Sequence, residues 1–197
     1  MELVLDWDGT CTEVDGLHML LEEFGDREIY EQMEGVLGAG LTLHEVIAAE
    51  MATIKLPLEF AVRWMREHVT MRRGFKELAE STAPIVLSSG FHELIEPVLA
   101  REQVELEVRA NRLDARLDGW RPIWRDEAVC ATCGEACKRG SVTNCAFVFV
   151  GDGYSDRCVA LAAERVFARD GLARYLDEQG RPYERFETLH DVAAALS

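Results

Sequence analysis

Apolar residues along the chain fall into short unbroken runs separated by longer amphipathic stretches. The runs predict buried strands at Leu3–Leu5, Ile85–Leu87, Phe147–Val150 and Arg165–Phe167. Between them, apolar positions recur at helical spacing. They predict helices over Leu17–Phe24, Leu43–Lys55, Pro57–His68, Gly74–Glu80, His92–Arg101, Ser155–Ala163 and Leu172–Glu178. Strands alternating with helices imply crossover connections and an α/β fold with a mainly parallel sheet. One interval departs from this rhythm. Roughly eighty residues between the first two strands read as helix throughout, with Leu58, Val62 and Met65 on one face, and predict a helical insertion. The stretch VELEVRANRLDARLDGW alternates with period two and predicts a small β-hairpin with arms around Glu105–Arg109 and Arg112–Leu117.

A length of 197 residues and a hydrophobic fraction of 48% suit one medium domain carrying such an insertion. The net charge of -15 argues against a nucleic acid or an anionic membrane as partner, because their phosphates would be repelled. It leaves room for a small phosphorylated metabolite drawn into a locally positive cleft. No apolar run approaches the ~18 residues needed to span a bilayer. Asp6 and Asp8 break the N-terminal apolar stretch, so no signal peptide is expected. Six unevenly scattered cysteines give no disulfide framework, and the cytoplasm is the expected compartment.

In a parallel sheet, ligands bind at the carboxyl ends of the strands. The first predicted strand stops at Asp6-Trp7-Asp8-Gly9-Thr10, and the second at Ser88-Ser89-Gly90 ahead of a helix. A third ends in Gly151-Asp152-Gly153-Tyr154-Ser155-Asp156, with Lys138 preceding it in the chain. Neighbouring carboxylates tolerate each other when a divalent cation lies between them, and oxygen ligands suit magnesium. Hydroxyls and backbone N–H groups at a helix start make an anion cradle. Together they point to metal-assisted phosphoryl chemistry.

Asp6-x-Asp8-Gly9-Thr10, Ser88, Lys138 and Gly151-Asp152-Gly153-x-x-Asp156 resemble, in order, the four motifs of the haloacid dehalogenase (HAD) superfamily. The resemblance implies a Rossmann-like core of residues 1–11 and 75–197 and a helical C1-type cap over residues 12–74. LSSGFHELI and GDGYSDRC resemble the phosphoserine phosphatase-like subfamily IB. Within it, the CxxCGxxCK approach to the lysine and the tail VFARDGLARYLDEQG are similar to the methionine-salvage phosphatases. The implied activity is hydrolysis of a small phosphomonoester. The implied substrate is 2-hydroxy-3-keto-5-methylthiopentenyl 1-phosphate, with phosphoserine and phosphocholine-like esters as alternatives. A phosphate-binding module without turnover is the non-enzymatic alternative, and the presence of both Asp6 and Asp8 argues against it.

The same resemblance, with the chemistry, implies roles. Asp6 is the nucleophile that forms an aspartyl-phosphate, and Asp8 handles the proton of the leaving group and then of water. Asp6, the Asp8 main-chain carbonyl and Asp152 hold magnesium. Ser88, Ser89, Gly90 and Lys138 bind phosphoryl oxygens, and Asp156 positions Lys138 or a metal-bound water from behind. Asp15 falls where phosphoserine phosphatases carry a substrate-binding Glu. His18, Arg63, Arg72 and Arg73 are further cap candidates, and Asn111 resembles an asparagine near the subfamily's hairpin. Only fourteen positions separate Lys138 from Asp152, where related chains place a longer helix. The lysine is therefore expected to enter by a short route, or to be replaced by Arg139. Cys130, Cys133 and Cys137 fit reduced structural thiols, a structural zinc with Cys145 or Asp126 as fourth ligand, or a redox pair. Cys11 and Cys158 are expected to pack beside the acidic loops.

Overall fold

A computed structural model of the chain describes residues 1–143 and 146–197. Its strands are β1 (Glu2–Leu5), β2 (Ile85–Phe91), β3 (Val108–Asp114), β4 (Arg121–Ile123), β5 (Phe147–Gly151), β6 (Arg165–Ala168) and β7 (Glu184–Arg185). They form one sheet in the order β4-β3-β2-β1-β5-β6-β7. Every neighbouring pair is parallel except β3 with β4. β1 therefore lies in the middle, with Leu5 opposite Val86 on one side and Val150 on the other.

Strand periodicity sorts the core into two layers. Leu3, Leu5, Val148 and Val150 face one layer, while Val4, Phe147 and Phe149 face the other. Between β1 and β2 come α1 (Gly16–Phe24), α2 (Arg27–Val36), α3 (Leu43–Met51), α4 (Leu58–His68) and α5 (Phe75–Thr82). After β2 follow α6 (His92–Glu102), α7 (Arg157–Ala162), α8 (Asp170–Glu178) and α9 (Leu189–Leu196). Phe75 and Leu78 of α5, Leu94 and Val98 of α6, and Leu189 and Val192 of α9 cover the first layer. Val159 of α7 with Leu172 and Leu176 of α8 cover the second. Complete burial of a side chain such as Phe149 contributes ~2–3 kcal/mol by removal from water. Among the described residues, no helix is long and apolar enough to cross a membrane.

The helical stretch after β1 is stitched together by its own aromatics. Phe24 meets Phe60 and Trp64 edge-on, with centroids 5.6 and 5.4 Å apart. α2 was not separately predicted, because REIYEQMEGV buries no residue and carries little apolar signal. It starts where Asp26 accepts N–H bonds from Glu28 and Ile29. β7 and α9 were likewise not predicted. α3 is shorter than the expected Leu43–Lys55, and α7 begins at Arg157 because residues 154–156 form a tighter turn.

The expected hairpin is displaced. Its two predicted arms merge into the single strand β3, which turns back into β4 only after Gly119. Alternation continues through Asn111 without a turn residue, whereas Asp118-Gly119 supplies a positive φ of 140°. Gly119 also runs close to α3: a Cβ there would lie 2.6 Å from the Ala52 carbonyl oxygen. The loop docks by Trp120, whose indole N–H donates to Leu56 O at 3.0 Å.

Candidate active site

The carboxyl ends of β1, β2 and β5 open into a cavity of about 200 Å³. Asp6 leaves β1 with its N–H still bonded to Val150 O, so its side chain is fixed by the sheet. The chain then makes one wide turn, closed by Thr12 N–H on Trp7 O at 3.1 Å. Trp7 is buried edge-on against Phe75 and serves packing. Gly9 takes a φ of 73°, and a Cβ there would sit 2.3 Å from Asp152 Oδ2, so glycine is required for this close approach. Thr10 Oγ1 donates to Asp152 Oδ1 at 3.0 Å, joining the segments that follow β1 and β5.

Lys138 does reach this point, on a single helical turn covering Lys138–Ser141 rather than on a long helix. Its buried ammonium contacts Asp6 Oδ1 and lies 2.6 Å from Asp156 Oδ1. Arg139 does not replace it. Asp156, fully buried, spends its other oxygen on the N–H groups of Asp152 and Gly153, at 2.9 and 3.1 Å. Asp156 therefore holds both the lysine and the turn that carries Asp152.

Ser88 Oγ accepts the Gly90 N–H at 2.8 Å, so that amide of the expected cradle is already engaged. The helix itself begins two residues later, at His92. Asn111 braces the loop from behind: its Nδ2 donates to Ser89 O at 2.8 Å, and its Oδ1 accepts from Arg125 N–H. Asp8 accepts from Gly16 N–H at 3.0 Å, and Asp15 caps the same helix by accepting from His18 N–H.

The electrostatics are those of crowded carboxylates. Burial raises Asp6 well above the usual carboxylate range, and Asp156 adds to it while Lys138 opposes it. Burial followed by Asp15 raises Asp8, against the Gly16 N–H. Burial and Asp156 push Asp152 up to about 6. Burial pulls Lys138 down, but Asp156 and Asp6 outweigh it and hold the ammonium above its ordinary range. One ammonium thus faces three clustered acids, Asp6, Asp152 and Asp156, with an oxygen of each within 4.8 Å of the others. Hard oxygen donors with uncompensated negative charge fit a magnesium ion.

Sequence reasoning did not single out several cavity residues. Tyr30, Glu34 and Glu50 line the cavity from the helical stretch, and Tyr154 from the opposite side. Leu17, Leu21, Val46 and Ile47 supply an apolar wall. Glu50 is only 4% exposed, and its Oε1 has no hydrogen-bond partner among the described residues. Burial, then Glu34 and Asp15, push it up to about 8. His18 does line the cavity, with its ring nitrogen against Tyr30 OH. Arg72, a candidate for substrate contact, points elsewhere. It is buried beneath the first turn, donating to the carbonyls of Thr10, Gly9 and Thr12 at 2.8, 2.7 and 3.0 Å. Arg63 and Arg73 also lie outside the cavity lining.

The fourth partner of the three clustered cysteines is Cys158, not Asp126. Asp126 instead accepts from Ser141 Oγ at 2.7 Å and pairs with Arg125. Cys145 lies outside the described residues. Cys158, expected merely to pack by an acidic loop, joins this cluster, whereas Cys11 is buried at the end of the first turn.

A family model described as haloacid dehalogenase-like hydrolase matches residues 3–161, which include all four strand-end motifs. The chain belongs to this family. The 2-hydroxy-3-keto-5-methylthiopentenyl-1-phosphate phosphatase of Bacillus mycoides (strain KBAB4) is 26% identical over 210 aligned residues, covering all of this chain and 95% of that protein. The protein of the same name from Bacillus thuringiensis (strain Al Hakam) is 25% identical over 209 residues, with the same coverage. Among solved structures, a substrate-bound phosphoserine phosphatase superposes with a TM-score of 0.71 at 18% identity, over 98% of this chain and 97% of that one. Phosphoserine phosphatase from T. onnurineus gives 0.68 at 22% identity, over 97% and 91%. The fold shared with these solved structures extends over 97–98% of the chain, including the helical stretch between β1 and β2.

Proposed function

We propose that this protein is a magnesium-dependent phosphatase that hydrolyses a small phosphomonoester through an aspartyl-phosphate on Asp6. The observation that carries the reading is the pairing of two differently held aspartates at one strand end. Asp6 is clamped by Lys138, whereas Asp8 forms no salt bridge among the described residues and is biased toward its neutral form by burial and Asp15. Asp6 attacks phosphorus, and its ionised form is favoured by the Lys138 contact against the pull of burial. Asp8, protonated by its surroundings, gives its proton to the leaving oxygen and then takes one from the attacking water. Lys138 and Ser88 receive phosphoryl oxygens and spread their charge. Asp6, the Asp8 carbonyl and Asp152 would hold magnesium, which would neutralise charge between the carboxylates and the phosphoryl group. Asp156 keeps Lys138 and the Asp152 turn in register.

In this reading residues 12–74 form a cap that excludes water and selects substrate over a core of residues 1–11 and 75–197. The substrate the site suits best is 2-hydroxy-3-keto-5-methylthiopentenyl 1-phosphate. The apolar wall of Leu17, Leu21, Val46 and Ile47 fits a thioether tail, and protonated Glu50 can donate to a substrate oxygen. Phosphoserine is the second reading, favoured by Asp15 and Glu34, which could meet an ammonium group. The protein acts in the cytoplasm as a metabolite phosphatase.

The test is hydrolysis of p-nitrophenyl phosphate and of a panel containing both esters, with magnesium or with EDTA, beside Asp6→Asn. The expected result is magnesium-dependent release of phosphate that falls at least ~10³-fold in Asp6→Asn. Turnover surviving EDTA or Asp6→Asn would overturn the mechanism. A folded protein that cleaves none of the panel would instead be a phosphate-binding module.

A further inference from the structure

Next to Lys138 in the chain, and outside the lining of the active-site cavity, four thiols converge. Cys130 and Cys133 lie in the loop after β4, Cys137 immediately precedes Lys138, and Cys158 sits in the first turn of α7, two positions after Asp156. All four sulfurs lie within 4.8 Å of one another. Cys130 Sγ and Cys158 Sγ are 3.8 Å apart, and each of the four is a free thiol. That separation is nearly twice a disulfide bond of ~2.05 Å. It matches the edge of a tetrahedron around zinc, which is ~3.8 Å when each zinc–sulfur bond is ~2.3 Å.

The backbone is also arranged for thiolates rather than for packing. Cys130-Ala131-Thr132-Cys133-Gly134 folds as a tight knuckle, with Gly134 at a φ of 80° and its N–H on Cys130 O at 2.8 Å. The N–H groups of Thr132 and Cys133 are directed at Cys130 Sγ, and that of Arg139 at Cys137 Sγ. Such N–H donors stabilise the negative charge that four metal-bound sulfurs would share. Buried apolar thiols have no need of them.

We propose that Cys130, Cys133, Cys137 and Cys158 bind a structural zinc ion that fastens the Lys138 segment to α7. Each thiol releases its proton as the ion binds. The ion joins the neighbour of Lys138 to α7, the helix that directly follows Asp156, so it ties together the two ends of the Lys138–Asp156 contact. Regular structure cannot do this, because residues 124–143 contain only the short turn at Lys138. The same loop reaches the cavity wall. Glu135 accepts from Leu43 N–H at 3.0 Å and from Tyr154 OH at 3.4 Å. Zinc occupancy stands independently of the phosphatase reading; only the consequence for Lys138 rests on it.

The experiment begins with metal analysis of the full-length protein purified under reducing conditions without chelator. About one zinc per chain is expected, released by a thiol-blocking reagent. Cobalt exchanged into the wild-type site should give the intense sulfur-to-metal bands and tetrahedral d–d spectrum of a four-thiolate centre. Cys158→Ser should lose that spectrum while its far-ultraviolet circular dichroism stays as in the wild type. Wild-type protein that carries no zinc and gives no tetrahedral cobalt spectrum overturns the site. A full wild-type spectrum in Cys158→Ser overturns the assignment of the fourth ligand. For the fastening role, zinc-stripped protein should lose at least ~10-fold in kcat/KM, regained with one equivalent of zinc and not with excess magnesium. Unchanged kcat/KM without zinc overturns that role and leaves the metal analysis to stand or fall alone.

Discussion

Glu50 is a carboxyl group placed where its charge is costly, and replacing it by glutamine should stabilise the protein in a pH-dependent way. Its folded value of about 8 stands above the ordinary 4.5. A raised carboxyl contributes no penalty below pH 4.5, where it is protonated both folded and unfolded. Above that, the unfolded chain ionises first. Stability is therefore lost as pH climbs toward 8, at up to ~1.4 kcal/mol per pH unit. At pH 7 this sums to ~3 kcal/mol, and screening by cavity water reduces it to ~1.5–2 kcal/mol. Glu50→Gln keeps the shape and removes the titration. Its gain over the wild type should be near zero at pH 4.5, ~1.5–2 kcal/mol at pH 7, and flat above pH 8. Urea unfolding of both proteins across pH 4.5–8.5 measures the difference directly. A difference that does not change with pH would refute the claim that the cause is a buried carboxyl whose Oε1 lacks a hydrogen-bond partner among the described residues. In the substrate assay the same variant should retain Asp6-dependent turnover, because the glutamine amide can still donate to the substrate oxygen that protonated Glu50 is proposed to meet.

Two further substitutions test how the strand ends are held. Gly9→Ala introduces a Cβ into Asp152 at a positive φ, and should cut kcat/KM at least ~10²-fold with ~1–3 kcal/mol of destabilisation. Wild-type kinetics there would show that the close approach of Gly9 to Asp152 is dispensable. Arg72→Ala leaves the carbonyls of Gly9, Thr10 and Thr12 without their buried donor. It should cost ~3–5 kcal/mol in thermal or urea unfolding, and a loss under ~1 kcal/mol would contradict its role beneath the first turn.

The parts of the fold legible in the sequence were those where two signals coincide. β1, β2 and β5 announce themselves by apolar runs that stop at carboxylates, hydroxyls and glycines, so strand and site were read from one pattern. Lys138 was legible from its motif, although the route it takes was not: one helical turn, directly after the cysteine loop, stands in place of a helix. Cys158 was invisible as a partner of Cys137 because β5 and its turn separate them in sequence and only the crossover brings α7 back. Asp126 lay nearer in the chain but is held by Ser141 and Arg125. Glu50 was missed because a charged residue in a helix ordinarily faces water, and only the packing of α3 over the cavity turns it inward. Arg72 was legible as important but not in kind, since no local pattern separates an arginine that meets substrate from one that holds backbone carbonyls.

The hydrogen bond from Gly16 N–H to Asp8 Oδ1 ties a proton to a motion. Gly16 is the first residue of α1, so the helix that follows the active turn is anchored on the acid itself. That bond favours ionised Asp8, and any tilt of α1 that breaks it strengthens the hold of Asp8 on its proton. By reciprocity, protonating Asp8 loosens the anchor of α1 by the same free energy. The position of the helix and the protonation state of one carboxyl group are thus two coordinates of a single equilibrium.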